Sequence, residues 1–164
     1  MSTFVGVLDF NAAIDKAVFE NVAMCERIFQ RAALMMLGSI VVGDPPYSPG
    51  TPVDTGFARS SWYVMLSGGE AAPAATRFEV DSAGSATDLK TAATGGDPVA
   101  ESIGIIQEAR LGQTIWLVNN VPYIVRLEYG WSKQAPAGMV RLTLAAAQEI
   151  VDQAMIIEQS RAAA

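Results

Sequence analysis

Apolar residues in the first quarter of the chain recur with a helical beat. Val18, Val22, Cys25, Phe29, Ala32 and Met36 are separated by four, three, four, three and four positions, while Glu20, Glu26, Arg27 and Arg31 fall off that stripe. Such spacing puts the apolar side chains on one face of an α-helix with a coiled-coil-like phase. Asp9 or Asn11 can cap its start, and the spacing predicts a helix over residues 11–42, roughly 45 Å long at the usual rise per residue. So long a helix has two readings. It is an ordinary amphipathic core helix, or its far end packs on a neighbouring subunit. The stretch GDPPYSPGTP, residues 43–52, then stops it, because prolines and glycines cannot continue a helix.

A short strand is predicted next, with Ser60, Trp62, Val64 and Leu66 alternating against Ser61, Tyr63 and Met65. It is bulky on both faces, as a strand covered on both sides would be. The pattern then lapses. Residues 67–97 are rich in Ala, Gly, Ser, Thr and Asp, and only RFEV, residues 77–80, looks capable of forming a strand. A stretch of that length with little periodicity reads as a long central loop or as an arm that orders against neighbours. Periodicity returns at Asp97-Pro98, which opens a short helix with Val99, Ile103, Ile106 and Ala109 on one face and Gly112 beyond its end. TIWLVN, residues 114–119, reads as a strand. YIVRLEY, residues 123–129, reads as its hairpin partner across the Asn120–Pro122 turn. A loop over residues 130–138 leads into a last helix over residues 139–161, carried by Val140, Leu144, Ala147, Val151 and Ala154. The expected fold class is α+β in a single domain over residues 1–164. It combines a small, mostly antiparallel sheet with a long N-terminal helix, a C-terminal helix and a long central loop or arm.

Composition narrows the chemistry. The chain has 164 residues, 51% of them apolar and 17% charged, and its mean hydropathy is +0.26. That supplies a real core and leaves apolar surface to spare. There is no histidine, which removes the usual general base and the commonest transition-metal ligand. Cys25 stands alone, with no partner for an intramolecular disulfide and no thiolate cluster for zinc. A Ser-His-Asp arrangement is impossible, and the phosphate-loop signature does not occur. Asp81 and Asp88 could meet a hard cation, but the calcium-loop spacing is missing. Acid–base work by a carboxylate pair stays open from spacing alone. No catalytic, cofactor-binding or metal-binding residue is nominated.

The net charge of −6 argues against a tight grip on nucleic acid, which requires a cationic footprint. It is compatible with surrounding DNA that must slide past. The first residues lack the cationic start of a secretory signal, so the cytoplasm is the expected compartment. The longest charge-free apolar stretch, residues 32–43, is too short to span a bilayer. The two amphipathic helices lack the cationic polar faces of interfacial helices, and no membrane partner is expected.

Two segments carry more specific information. TPVDTGFARSSW occupies residues 51–62, and NNVPYIVRLEYGWSKQAPAGMVR occupies residues 119–141. Read physically, Asp54 can cap the turn that Gly56 permits, by bonding the amides of residues 55–57. Arg59 would direct its fork at an acid, with Glu128 the natural candidate, as a structural tie between the two segments. Trp62, Tyr123, Tyr129 and Trp131 combine apolar bodies with polar tips and are the candidate interface residues outside the helices.

Together the two segments resemble the neck and tail-completion proteins of long-tailed bacteriophages, the minor tail protein Z type. That family shows a long first helix ending at a T-P-V-D-T-G-x-x-R-x-x-W element. A later N-N-x-P-Y-x-x-x-L-E-Y-G segment leads through P-x-G-M-V-R into the last helix. About 35 residues match directly, in the same order; Phe57 departs from the basic or aliphatic residue common there, and residues 67–97 match nothing.

The resemblance implies a non-enzymatic virion protein that forms a homo-oligomeric ring at the head–tail junction. The implied ring is a hexamer, with a dodecamer as the alternative. It would sit between a head-closure or connector ring and the tail terminator or tail-tube proteins, with DNA passing through unbound. It would occupy the host cytoplasm during assembly and the virion afterwards. A tail terminator or head-closure ring is the alternative role, and an unrelated enzyme stands further off.

Overall fold

The computed structural model describes residues 5–67 and 96–163, with side chains from residue 10. The expected arm over residues 67–97 lies, but for its ends, outside the described residues. The described elements are α1 (Val5–Val41), α2 (Phe57–Ser60), β1 (Tyr63–Ser67), α3 (Pro98–Gln107), β2 (Thr114–Val118), α4 (Ile124–Glu128), α5 (Val140–Ala145) and α6 (Ala147–Ala162). The class is α+β. Among the described residues the sheet has two strands, β1 and β2, antiparallel, with Met65 opposite Trp116 at the centre of the register. α1 packs along α6 and α3, and α3 also crosses β1.

The core gathers the second half of α1 with Trp62 and β1, α3 and Met139 of the GMVR turn. Ala33, Leu37, Ile40 and Val41 meet Trp62, Val64, Ile106 and Met139. α1 stops where its last carbonyls find partners outside the helix, as the orphan groups of a helix end must. The Thr51 hydroxyl donates to the Ile40 carbonyl at 2.8 Å, and the Thr51 amide donates to that of Val41 at 3.2 Å. The same hydroxyl accepts the Trp62 indole N–H at 2.9 Å, so one buried threonine joins helix end, loop and strand.

Several expectations are corrected. α1 begins at Val5, six residues before the predicted start. Its predicted stripe is covered only in part: Val18, Val22 and Cys25 are exposed, Phe29 and Met36 half-buried, and Ala32 buried. The segment FARS forms the short helix α2, so β1 starts at Tyr63 and not at Ser60. α3 falls where Asp97-Pro98 predicted it, with the Asp97 carboxylate accepting from the amides of Val99 and Ala100. Its buried face is Pro98, Ser102 and Ile106, while Ile103 is exposed.

YIVRLEY is not a strand; its centre is the helix α4, so no hairpin forms after β2. The Asn119 carboxamide accepts from the Val121 amide at 3.0 Å, and Ile124 N–H bonds the Val121 carbonyl, a turn that winds the chain into a helix. The last helix is interrupted at Ala146. One turn earlier, the buried Thr143 hydroxyl lies 2.9 Å from the Met139 carbonyl and 3.0 Å from the Ser39 hydroxyl, the back-bonding that bends helices.

Candidate functional site

The two motif segments come together at the end of the molecule where α1 stops. Gly56 adopts φ +86°, a left-handed turn that an L side chain rarely accepts, and it reverses the chain directly into α2. That turn drives Phe57 inward until it is only 2% exposed. From the second segment, the Gln134 side chain meets the backbone of Val53 twice. Its carbonyl accepts from Val53 N–H at 3.0 Å, and its amide donates to the Val53 carbonyl at 2.9 Å. The Asn119 amide donates to the Ala58 carbonyl at 2.8 Å. These bonds hold open a groove of about 280 Å³, walled by Pro52, Val53 and Phe57 on one side and by Tyr123, Leu127 and Trp131 on the other. Burial, followed by the nearby Asp54 charge, pushes the Tyr123 hydroxyl above its ordinary pKa, so the groove holds a neutral phenol.

Behind the groove, Glu128 organises the entry to α5. Its carboxylate accepts from the amides of Met139 (3.0 Å), Val140 (2.9 Å) and Arg141 (2.9 Å), and from Arg141 Nε at 3.1 Å. It thereby satisfies the orphan donors of a helix start that has no side-chain cap of its own. Burial works against the Glu128 charge, but the three amides and the guanidinium outweigh it and hold the carboxyl below its ordinary range. Gly138, at φ +83°, makes the approach possible: a Cβ there would lie 2.5 Å from the Glu128 carbonyl oxygen. Arg141 also donates to that carbonyl at 2.6 Å and lies over the Tyr129 ring. The L-E-Y-G and G-M-V-R portions are therefore one capping device.

The expected residues are distributed as follows. Glu128 is a structural tie, but its partner is Arg141 and not Arg59. Arg59 Nε is buried without a hydrogen-bond partner among the described residues. Asp54 is exposed at the groove and makes no cap bond to α2, whose turn rests on Gly56 alone. Trp62 is a core residue, 4% exposed, and not a surface one. Tyr123 is half-buried in the groove wall, while Tyr129 and Trp131 are 73% and 66% exposed, with the Arg126 guanidinium over the Trp131 ring. Thr51, Asn119, Gln134 and Arg141 were not anticipated. All four lie inside the two motif segments, which was the available signal.

At the other end of the core, Glu158 is 3% exposed and receives Arg31, with Arg27 at 3.5 Å and Arg161 at 3.6 Å. Burial opposes its charge, but the arginines prevail and lower its pKa. This cluster ties α6 to the middle of α1. Three more bonds lie near it: the Gln30 amide donates to the carbonyls of Gln107 and Ala109, and Glu26 accepts from Leu111 N–H at 3.4 Å. Beyond them, residues 10–22 are all exposed. They include Phe10 (63%), Ile14 (45%), Val18 (57%), Phe19 (74%) and Val22 (45%).

Among the described residues, no group of three or more acidic or thiol side chains is placed to hold a metal ion, and no helix is long and apolar enough to cross a membrane. Asn119, Glu128, Gln134 and Arg141 are engaged in holding backbone, and the groove beside them is walled mostly by apolar side chains with the Asp54 carboxylate among them. No family model matches the chain, no curated protein matches it, and no solved structure matches it.

Proposed function

We propose that this chain is a structural, non-enzymatic virion protein of a tailed bacteriophage, forming a homo-oligomeric ring at the head–tail junction. The ring is a hexamer in this reading, with a dodecamer as the alternative copy number. It completes the tail for joining to the head and stands between a head-closure or connector ring and the tail terminator or tail-tube proteins. The observation that carries the reading is the convergence of the two motif segments at one end. There Glu128, Gln134 and Asn119 spend their polar groups on backbone atoms of the partner segment or the adjoining helix. Residues so engaged build a surface. A head-to-tail contact between identical subunits closes into a ring when the rotation per step divides the circle. A net charge of −6 suits a wall past which DNA must slide, since like charge prevents sticking.

A ring between two finished assemblies can be missing without disturbing the contacts inside either one. Cells infected with a phage deleted for this gene should therefore accumulate DNA-filled heads and separate tails, visible by negative-stain microscopy. Tails of uncontrolled length would assign the protein to the tail terminator instead. Filled heads that leak their DNA would assign it to the head-closure ring. Empty, misshapen shells would overturn the reading.

A further inference from the structure

No further inference is drawn: the strongest candidate, the exposed apolar stripe of Phe10, Ile14, Val18 and Val22 on the projecting part of α1, is an unpartnered helix face, and nothing in the structure shows which surface covers it.

Discussion

The two halves of α1 carry the same kind of apolar spacing and end in opposite surroundings. From Ala33 to Val41 the helix supplies half of the core, with Leu37 and Val41 fully buried against Trp62, Ile106 and Met139. From residue 10 to residue 22 it touches none of that core, and its Phe and Val side chains stand in solvent. The difference lies in what surrounds the rod. α3, α5 and α6 pack on α1, and the side-chain ties from α1 to the rest of the chain include Glu26 and Arg27, whereas residues 10–22 are exposed throughout. A helical stripe shows that a face seeks burial; it does not say whose atoms provide it. Exposed apolar surface of this extent on an isolated chain marks an interaction surface.

The sharpest way to break this comparison is to truncate side chains in each half. Leu37→Ala should destabilise the isolated chain by about 2–5 kcal/mol, the usual cost of deleting a buried leucine. Val18→Ala should stay within about 0.5 kcal/mol of wild type when measured below the assembling concentration. Urea unfolding at low and high protein concentration separates the two, because only Val18→Ala should act through assembly. Equal losses at both positions would mean that the first half belongs to the subunit's own core.

Acid sharpens the comparison at its boundary. Glu158 and Glu128 both have folded-state pKa values below their ordinary 4.5. Their contribution is therefore fully present above that value and is lost as pH falls through the folded values. Melting temperature should hold from neutral pH to about pH 5 and drop below pH 4.5. Glu158→Gln, which leaves Arg31 without its partner, should cost about 1–3 kcal/mol at neutral pH and flatten part of that acid slope. A slope unchanged by both Glu158→Gln and Glu128→Gln would show that neither carboxylate is held as described.

Smaller effects are expected at the motif end. Gln134→Ala removes two bonds to Val53 and should cost about 1 kcal/mol. Arg59→Met should be neutral or slightly stabilising, because it removes a buried donor that has no partner among the described residues. A loss of stability comparable to that of Glu158→Gln would mean that Arg59 is engaged after all.

Much of this architecture was legible in the sequence. The long first helix, α3 with its Asp97-Pro98 start, and β2 follow from periodicity and capping chemistry that act locally. Residues 123–129 were misread because Tyr123, Val125 and Leu127 alternate like a strand over a short span. The pair that packs on the core is Ile124 and Leu127, three apart, and a span of seven residues supports either period. Glu128 was legible as a tie only as the acid expected to receive Arg59, a pairing that does not form. Its true partners, three amides and Arg141, are fixed by the Gly138 turn, whose closeness to Glu128 is a tertiary fact. The bond between Gln134 and Val53 left no trace, since a side-chain amide gripping backbone imposes no pattern on its neighbours.

Native mass spectrometry of the purified protein, wild type beside the triple variant Ile14→Ser/Val18→Ser/Val22→Ser, tests the central claim most directly. The account predicts a closed ring, a hexamer or its double, for the wild type. It predicts folded monomers with unchanged helical circular dichroism for the variant, because the three positions lie outside the subunit's core. A wild-type monomer, or a ring that survives all three substitutions, would contradict it.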